Sequence, residues 1–517
     1  MRLTPLAAAV ALAASVVLAL PLGTANAATT RHEAETSPAV CTGSIDRDWS
    51  GFSGTGFCNG TNATGAYAQF TVNAAAAGTA TLAVRFANGT TSARAANLIV
   101  NGTTVQPVSF EGTGAWSTWV TKTVTAAVNA GSNTIRLSPT SSAGLANIDY
   151  LDFTSEGTPP PTGDTLYVAP NGRDGATGTL ADPTTLTSAI SRIAQGGTIF
   201  LRGGNYPFSQ TVTIAQGNNG ASGALKKLYA QPGETPVLNF SAQAEDPANR
   251  GLAVNGNYWH VRGIVVERAG DNGIFVGGSN NIFERTITRF NRDTGLQLSR
   301  MLSTTPKDQW PANNLVLSAE SHDNADSDGE DADGFAAKLT SGPGNVFRYA
   351  VAHNNIDDGW DLYTKTDTGP IGAVTIEDSL AYENGTLSNG GQAGNGDRNG
   401  YKLGGEDIGV NHIIRRNIAY DNGKHGFTYN RNLGSMTVSD NVSIDNTERN
   451  FNFDGGSSVF RNNTSCRSGS GSTDRTLGNV DGSNQFWSGT NGSRCSSYAG
   501  ALRWSYASDG RLVVTFG

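Results

Sequence analysis

The sequence predicts an all-β chain in which an N-terminal β-sandwich precedes a stacked solenoid of short strands. Residues 28–155 alternate short β-branched or aromatic runs with Gly and Asn turns, which is typical of an antiparallel sandwich. Beyond residue 270, a polar residue, a glycine and an apolar strand start recur, and the recurring glycines are separated by 22, 39, 25, 41 and 26 residues. A period in the low to middle twenties, lengthened by two insertions, indicates a solenoid. The 65 glycines among 517 residues favour tight turns over long helices.

The charge balance is acidic, with 36 Lys and Arg against 44 Asp and Glu and a formal net charge of -8. A nucleic-acid partner needs clustered Lys and Arg, so this balance argues against one. An anionic substrate would have to be attracted by something other than net charge, and a bound cation would serve. We expect a monomer that binds neither nucleic acid nor a membrane.

The N-terminus has the organisation of a secretory signal peptide. Met1-Arg2 precedes an apolar run at 6–20 and a small-residue site at 25–27, so we expect residues 1–27 to be removed after Ala27. The alternative is a membrane anchor, but the apolar run is shorter than the ~20 residues of a spanning helix. We therefore expect a secreted, extracellular protein.

Four cysteines fall into two local pairs, Cys41 with Cys58 and Cys466 with Cys495. Neither pair has the CxxC spacing of a metal site, and an oxidising exterior favours disulfides. Proximity along the chain therefore predicts two disulfide bonds.

Residues 28–155 show no catalytic constellation, but they resemble a family 35 carbohydrate-binding module. The resemblance rests on motifs that keep their order along the segment: Glu33–Glu35, Ser50–Phe57, Asn62–Tyr67, Arg85–Gly89, Arg94, Val100–Gly102 and Asn147–Asp152. It implies a jelly-roll fold with a structural calcium held by Glu33, Glu35 and Asp152. Oxygen ligands from both chain ends suit calcium, because the ion ties the two terminal strands together.

Some modules of this family bind uronic acids in loops at one end of the sandwich. The resemblance transfers that role to Asn88, Arg94, Trp116 and Asn147, and implies a uronic-acid-containing polysaccharide as the ligand. For Trp116 the alternative interpretation is a core or edge aromatic. The proline-rich segment 156–164 follows and is predicted to be a semi-rigid linker between two independently folded domains.

Residues 165–517 are predicted to form the second domain. Tyr167–Gly172, a short helical stretch near Leu186–Ala194 and Gly197–Tyr206 resemble the opening of secreted right-handed parallel β-helices. In that architecture a helix covers the first coil and protects its open edge. We expect the repeats to continue to about residue 465, and the stretch beyond Cys466 to form an irregular, stapled cover over the other end.

The repeated glycines make a geometric prediction, because equivalent positions of successive coils in a parallel β-helix stack about 4.8 Å apart. Aligning three copies of the motif on Gly334, Gly359 and Gly400 produces two columns, which are Asp333, Asp358 and Asn399 before the glycine, and Ala336, Asp361 and Lys402 two residues after it. Side chains on a strand alternate between its faces. The aromatic residues between the columns should therefore point inward, and Asp361 and Lys402 should point outward together.

Asp333, Asp357, Asp358 and Asp361 concentrate negative charge on two neighbouring coils. This arrangement is unfavourable unless a cation binds, and an oxygen-only ligand set selects a hard ion such as calcium. The alternative is a solvated acidic corner without an ion. The acidic run 326–333 lacks the glycine and glutamate offsets of an EF-hand.

Lys402 follows this acidic corner by one coil. A nearby calcium would lower the pKa of its ammonium by like-charge repulsion and make the neutral amine available as a base. Most lysines are solvated and unreactive, so only its position in the column distinguishes Lys402.

Three motifs in this region resemble the family 9 polysaccharide lyases, which are β-helical pectate lyases: Asp333–Leu339, Asn354–Tyr363 and Asn399–Gly405. The resemblance spans roughly residues 166–465. It implies that Asp333, Asp357, Asp358 and Asp361 bind a catalytic calcium and that Lys402 is the Brønsted base. The implied reaction is β-elimination on α-1,4-linked polygalacturonate, which leaves 4,5-unsaturated oligogalacturonates.

Two other functions remain open at this stage. A β-helical polygalacturonan hydrolase would use the aspartates as acid and base, so its activity would survive chelation. A non-catalytic β-helix would only bind polyanionic polysaccharide through calcium.

Overall fold

The computed structural model describes residues 29–74, 78–129, 131–155, 164–392 and 394–517. The chain divides into two compact units, Met1–Pro159 and Pro160–Gly517. The predicted signal peptide (1–27) and residues 156–163 of the predicted linker lie outside the described residues. Within the described ranges, no helix has the length and apolar character needed to cross a bilayer.

The first unit is a sandwich of two antiparallel sheets, as predicted. One sheet consists of Gly43–Asp46, Phe57–Gly60, Asn147–Ser155, Gly78–Ala87 and Val120–Val128 in spatial order, and Thr29–Glu33 also pairs with Asn147–Ser155. The other consists of Val40–Cys41, Ala68–Ala74, Gly131–Pro139, Arg94–Val100 and Thr103–Phe110. Alternate residues of both sheets form one core, because side chains on a strand point to opposite faces. The predicted disulfide between Cys41 and Cys58 is confirmed and joins the two sheets.

The second unit begins with a strand, Thr165–Val168, and the predicted helix, which is confirmed at Leu186–Arg192. Thr185 caps this helix by accepting a hydrogen bond from Ser188 N. Its buried face includes Leu186 and Ile190, which belong to the same core as the first strands. The helix therefore covers the first coil, as expected.

Three parallel sheets then run along the unit, and between Thr198 and Thr476 each coil contributes one strand to each sheet, which confirms the β-helix. The first sheet consists of Thr165–Val168, Thr198–Leu201, Lys226–Ala230, Trp259–Arg262, Ile282–Glu284, Leu315–Leu317, Asn345–Arg348, Val374–Glu377, Ile413–Arg415, Thr437–Ser439, Val459–Arg461 and Asn479–Val480. The second sheet consists of Gly204–Pro207, Pro236–Asn239, Val265–Glu267, Ile287–Arg289, Glu320–His322, Val351–His353, Leu380–Tyr382, Ile418–Tyr420, Val442–Ile444 and Thr464–Cys466. The third sheet consists of Val212–Ile214, Leu252–Val254, Ile274–Val276, Leu296–Leu298, Phe335–Ala337, Trp360–Asp361, Tyr401–Lys402, His425–Thr428, Arg449–Phe453 and Arg475–Thr476.

The third sheet carries the recurring glycine motif in the predicted register. Phe335 pairs with Trp360, Trp360 with Tyr401 and Tyr401 with Phe427. These side chains point inward and form a stack with ring centroids 5.0, 4.8 and 4.6 Å apart. Fully buried aromatic stacking of this kind stabilises one register over its neighbours, because a one-residue slip would turn the rings outward.

The corner before the third sheet is built from a ladder of buried asparagines. Asn324 Nδ2 donates to Asn355 Oδ1 at 2.8 Å, and the same contact continues to Asn384 at 3.0 Å and Asn422 at 2.9 Å. Each asparagine thereby satisfies polar groups that the turn would otherwise leave unpaired. The ladder holds successive corners in line, and the acidic residues of interest lie just after it in the chain.

The expectation of an irregular C-terminal cover is only partly correct. The disulfide between Cys466 and Cys495 is confirmed, and a 3-10 helix at Ser493–Tyr498 contains the second cysteine. The chain then forms an antiparallel hairpin, Leu502–Tyr506 with Leu512–Phe516. This hairpin lies against the side of the solenoid, where Tyr506 Oη donates to Ala319 O at 2.9 Å. A 3-10 helix at Lys307–Gln309 completes the helical segments in the described ranges.

Candidate active site

Three carboxylates meet at the corner before two neighbouring strands of the third sheet. Asp333, Asp357 and Asp358 each place one oxygen so that all three oxygens lie within 4.8 Å of one another, and this is the only such group among the described residues. The side chains are 0%, 2% and 0% exposed. Three acids with this burial form a cage of oxygen atoms.

Protein donors hold some of the carboxylate oxygens in the cage and leave others without a hydrogen bond. Asp358 Oδ1 accepts hydrogen bonds from Asn399 N at 2.6 Å and Asn399 Nδ2 at 2.9 Å. Asp333 Oδ1 accepts one from Asp358 N at 3.2 Å. Asp361 Oδ1 is buried and accepts no hydrogen bond, and Asp358 Oδ2 accepts none although Lys402 Nζ lies 3.3 Å from it. A buried carboxylate oxygen without a donor is costly, which favours a cation at this position.

The pKa values of the acids in the cage also favour a bound cation. Burial raises the pKa of Asp333 to about 7 and that of Asp358 to about 8, although Lys338 and Lys402 respectively oppose the rise. Burial and the neighbouring Asp358 raise the pKa of Asp357 well above its usual value. Burial therefore disfavours the charged form of these acids, and positive charge in the cage would favour it.

The structure places Lys402 directly beside this cage. Ala336, Asp361 and Lys402 occupy the same position on successive strands, in the predicted column. Lys402 Nζ lies 3.3 Å from Asp358 Oδ2 and 3.8 Å from Asp361 Oδ2. Its side chain is 11% exposed and lines the cavity on the outer face of the sheet. The amine therefore points outward and contacts the acidic corner.

The pKa of Lys402 results from two opposing effects. Burial lowers it, but the carboxylates of Asp361 and Asp358 outweigh burial and raise it above its usual value. Without a cation in the cage the amine is therefore held as an ammonium, which is not a base. Positive charge among the same carboxylates would reverse the balance.

Asp361, the fourth predicted ligand, lies beside the group of three rather than within it. Its Oδ2 is 3.5 Å from Lys338 Nζ and 3.8 Å from Lys402 Nζ. The cage and the two lysines thus form one continuous charged cluster in which Asp361 is the link.

Two members of this cluster were not identified from the sequence. Lys338 Nζ lies 2.7 Å from Asp333 Oδ2. Asp397 belongs to the glycine-rich insertion; its backbone N–H donates to Asp357 Oδ1, and its own Oδ2 lies 3.1 Å from Lys402 Nζ. Lys338 directly follows the strand Phe335–Ala337, two residues after Ala336. The alignment on the repeated glycines would have identified Lys338 if it had been extended by two positions. Asp397 lies in an insertion with no equivalent in other coils, and no repeat-based signal identifies it.

The cluster opens into a cavity of ≈ 330 Å³. Its walls include Lys338, Asp361, Tyr363, Lys365 and Lys402. Lys402 Nζ also lies 5.4 Å from the centroid of the Tyr363 ring. The cavity therefore combines cations, which suit an anionic ligand, with a carboxylate cage that suits a metal ion.

In the N-terminal unit the structure brings together two of the three acids expected to hold calcium. Glu33 Oε1 accepts from Ser53 Oγ at 2.6 Å and Glu35 Oε1 from Thr55 N at 2.7 Å, while the second oxygen of each carboxylate is buried without a donor. Both acids therefore face the short segment from Ser53 to Thr55.

Asp152, the third acid of that prediction, lies apart from them and pairs with an arginine. Its two carboxylate oxygens accept from Arg31 at 2.8 and 2.9 Å. The acid near Glu33 is Asp149, which is fully buried, accepts from Ser53 N at 3.0 Å and pairs with Arg85 at 2.5 Å. The strand is irregular between Ile148 and Tyr150, and a simple alternation of faces therefore does not describe Asp149.

The four residues expected to bind sugar lie near one end of the sandwich. The Arg94 guanidinium lies 5.2 Å from the centroid of the half-buried Trp116 ring. Asn88 is fully buried, and its Nδ2 donates to Phe110 O at 2.9 Å and to Ser92 O at 3.0 Å, so it shapes the loop. Asn147 begins its strand and is 3% exposed. Arg94 and Trp116 are therefore the accessible pair.

Comparisons with known proteins match the two units of the chain separately. Residues 166–463 match the family model for the Pel9A-like right-handed β-helix region, and residues 42–155 match that for carbohydrate binding module family 6. The chain is 55% identical over 324 residues to a protein named pectate lyase L from Paenibacillus polymyxa (strain SC2), covering 62% of this chain and 72% of that one.

Two solved structures match parts of the chain. The crystal structure of pectate lyase Pel9A is 32% identical with a TM-score of 0.57, covering 68% of this chain and 87% of that one. The family 35 module of Cellvibrio japonicus Abf62 is 37% identical with a TM-score of 0.25, covering 25% of this chain and 95% of that one.

Proposed function

We propose that this chain, which belongs to the family of Pel9A-like right-handed β-helices and is a polysaccharide lyase with pectate lyase activity, cleaves α-1,4-polygalacturonate by calcium-dependent β-elimination with Lys402 as the base. The observation that carries the proposal is the position of Lys402 Nζ, 3.3 Å from Asp358 Oδ2, next to three buried carboxylates. An amine in this position can accept a proton only when a cation offsets the acids, so base and metal depend on each other.

The residues present fit a hard divalent cation. All the donor atoms are carboxylate oxygens, which calcium prefers, and Asp358 Oδ2 and Asp361 Oδ1 are buried without hydrogen-bond donors. Asp333, Asp357, Asp358 and Asp361 would hold the ion. When bound, calcium would supply positive charge for the substrate carboxylate and for the negative charge that develops as the C5 proton leaves.

Lys402 carries the proton transfer. Its neutral Nζ takes the proton from C5 of the galacturonate whose C4 carries the scissile glycosidic oxygen. The electron pair of the C5–H bond forms the C4–C5 double bond, the C4–O bond breaks, and the departing oxygen takes a proton from solvent. The products are one chain with a free hydroxyl end and one with a 4,5-unsaturated end.

Lys338 and Asp397 position the reacting groups. Lys338 holds Asp333 through a 2.7 Å contact and keeps that carboxylate in the cage. Asp397 lies between Lys402 and Lys424, whose Nζ atoms are 3.1 and 2.9 Å from its carboxylate oxygens. The Lys402 side chain is thereby fixed between two acids, which limits its rotamers before substrate binds.

The deciding experiment follows the absorbance of the unsaturated product on polygalacturonate with and without a chelator, for the wild type and for Lys402→Ala. We expect product only in the wild type with calcium. Lys122→Ala, in the N-terminal unit, is the matched control and should retain wild-type activity. Cleavage that persists in chelator without an unsaturated product would favour the hydrolase, and polysaccharide binding with no cleavage in any condition would favour a non-catalytic adhesin.

The N-terminal unit would deliver the lyase to its substrate. We propose that Glu33 and Glu35, together with Asp149, hold a structural calcium and that Arg94 and Trp116 bind a uronic-acid-containing polysaccharide. The proximity of the guanidinium to the indole supports this, because the pair offers a carboxylate partner beside a flat apolar surface. Pectin in an affinity gel should retard the Trp116→Ala variant less than it retards the wild type. The rate of unsaturated product from short oligogalacturonates should be the same for both proteins.

Export of the protein is also a proposal, based on residues 1–27. Expression of the full chain in a secreting host should yield a mature protein that begins at Ala28, as N-terminal sequencing would report. Retention of the uncleaved chain in the cell would contradict it.

A further inference from the structure

A second cavity lies on the N-terminal coils of the solenoid, outside the charged cluster. It has a volume of ≈ 350 Å³ and is lined by Gln216, Asn255, Asn257, Ser279, Thr305 and Gln309, together with Gly277, Met301 and Asp308. Part of its wall is the loop that follows the strand Leu296–Leu298 and contains the 3-10 helix Lys307–Gln309. Its size is within the range of small-molecule binding sites.

The register of the third sheet relates this cavity to the carboxylate cage. Val254 pairs with Val276, Val276 with Leu298 and Leu298 with Ala337. Asn255 and Lys338, the next residues after the two ends of this series, therefore occupy equivalent positions three coils apart. At about 4.8 Å per coil, this corresponds to about 14 Å along the axis. A polysaccharide chain of a few residues would reach from one cavity to the other.

The lining of this cavity differs in charge from the linings of the cavities at the cage and on its C-terminal side. Among the described residues, neither Lys nor Arg lines it, and the one ionisable side chain is the exposed Asp308 at its rim. On the C-terminal side of the cage, a cavity of ≈ 230 Å³ is lined by residues that include the bases Lys424 and Arg431 and the acids Asp397 and Asp454. The C-terminal cavity thus contains charged side chains of both signs, while the N-terminal cavity offers amides and hydroxyls to uncharged polar groups.

One polar group in this cavity is incompletely paired. Asn255 is 7% exposed, and its Oδ1 accepts no hydrogen bond from the described residues. Buried amides are normally fully paired, so an unpaired one in a polar cavity indicates a position for a ligand hydroxyl or water. The adjacent Gly277 keeps this position open, because a Cβ there would lie 2.6 Å from Asn255 Oδ1 and 3.1 Å from Met301 Cβ.

We propose that this cavity is a subsite for an uncharged pyranose residue of the same polysaccharide chain whose galacturonate is bound at the cage. The subsite rests on the proposed function and deepens it: the enzyme would act best where a charged stretch of the chain adjoins an uncharged residue. A galacturonate at this position would face Asp308 and no cation. A methyl-esterified galacturonate and a neutral sugar share the chemistry that the cavity accepts, since both present hydroxyl groups without a charge.

The test compares Gly277→Ala with the wild type on three substrates: polygalacturonate, partly methyl-esterified polygalacturonate, and a galacturonate backbone that contains rhamnose. Alanine fills the space beside Asn255 without requiring a left-handed backbone, since the φ of Gly277 lies outside that region. Gly469→Ala is the matched control, because a Cβ at Gly469 meets nothing within 4 Å. Initial rates of unsaturated product at low substrate concentration report kcat/KM.

On a substrate that contains uncharged sugar residues, we expect the kcat/KM of Gly277→Ala to be about tenfold lower than that of the wild type, which is the effect of one or two hydrogen bonds. On polygalacturonate we expect its rate to equal that of the wild type. Comparison of the methyl-esterified and rhamnose-containing substrates shows which uncharged residue the cavity binds. Equal loss on all three substrates, or no loss on any, would overturn the subsite.

A binding measurement separates this proposal from the proposed function. Saturation-transfer NMR with galactobiose is carried out on the full chain in the presence of EDTA, so the carboxylate cage plays no part. We expect a signal from the wild type and from Gly469→Ala that is reduced in Gly277→Ala; sugar bound by the N-terminal unit contributes equally to all three. Equal signals would reject the subsite, whereas absence of unsaturated product from every protein would reject the proposed function alone.

Discussion

Lys338 Nζ lies 2.7 Å from Asp333 Oδ2, and the two side chains are 10% and 0% exposed. Burial lowers the pKa of Lys338, but Asp333 and Asp361 outweigh burial and raise it, so the lysine remains an ammonium at any working pH. The protein thus places a permanent positive charge beside a carboxylate cage that we expect to hold calcium. The ammonium neutralises one acid, and calcium offsets the charge of the others.

Replacement of Lys338 tests this division of charge. Lys338→Met removes the partner of a buried carboxylate, and we expect the free energy of unfolding in chelator to fall by about 3 kcal/mol. Added calcium should restore more stability to the variant than to the wild type, because the cation then has an additional unpaired acid to neutralise. Thermal unfolding with and without calcium measures both effects.

Lys365 is an exposed lysine of the same cavity, and Lys365→Met is the control variant. This substitution should change the free energy of unfolding by less than about 0.5 kcal/mol. Equal calcium responses in the two variants would contradict the assigned role.

The raised pKa values of Asp333 and Asp358, about 7 and about 8, predict how stability depends on pH. Unfolded aspartates titrate near 3.9, so between about pH 4 and pH 8 the folded protein binds more protons than the unfolded chain. The free energy of unfolding in chelator should therefore fall by a few kcal/mol as the pH rises through this window. Lys338 and Lys402 have raised pKa values and stay charged throughout, so they do not alter the slope.

Calcium should remove this slope, because the ion replaces the protons in the cage. Denaturant titrations at several pH values, in chelator and in saturating calcium, measure the difference. A calcium-loaded protein that loses stability between pH 4 and pH 8 as steeply as the protein in chelator would count against a cation among these acids.

Lys402→Arg separates positive charge from basicity. A guanidinium keeps the attraction to Asp358 and Asp361 but does not give up its proton in proteins. We expect kcat to fall by at least about 10²-fold, the usual contribution of a general base, while calcium affinity and thermal stability stay near wild-type values. Rates of unsaturated product and calorimetric calcium binding test this. A variant that keeps most of its kcat would show that Lys402 acts through its charge and not as the base.

The pH profile of the wild type provides a further check on the same residue. The neutral amine is the reactive form, and calcium only offsets the carboxylates that otherwise raise the pKa of Lys402. Because a lysine without such neighbours still titrates near 10.4, kcat/KM should rise with pH to an alkaline optimum in saturating calcium. Initial rates in overlapping buffers give the profile. An optimum near pH 5 would be incompatible with an amine base.

The two aspartates at the end of the N-terminal sandwich should respond differently to substitution. Asp149 is buried, is hydrogen-bonded by Ser53 and pairs with Arg85, so Asp149→Asn should destabilise this unit by about 2 kcal/mol and reduce its stabilisation by calcium. Asp152 pairs with the exposed Arg31, and Asp152→Asn should cost less than about 1 kcal/mol with the calcium response intact. Thermal unfolding of both variants in chelator and in calcium makes the comparison, and a calcium response lost only in Asp152→Asn would restore the original prediction.

The sequence by itself determined the register of the solenoid and therefore the columns that contain Asp333, Asp358 and Lys402. In parallel coils, a residue contacts the equivalent residue of the next coil, so the positions of Gly334, Gly359 and Gly400 in the chain are sufficient to align their neighbours. The fold, the division into two units and both disulfides followed from equally local signals. These are properties of repeated spacing, which a sequence displays directly.

Only the tertiary structure decided which residues outside the repeat complete the site. Asp397 enters from an insertion whose path has no equivalent in other coils, and the C-terminal hairpin lies along the side of the solenoid because Tyr506 and Trp504 find partners there. Asp149, and not Asp152, is hydrogen-bonded by Ser53 near Glu33, at the point where the strand is irregular between Ile148 and Tyr150. Turns, insertions and bulges direct side chains through backbone angles set by distant contacts, and no spacing along the chain encodes those contacts.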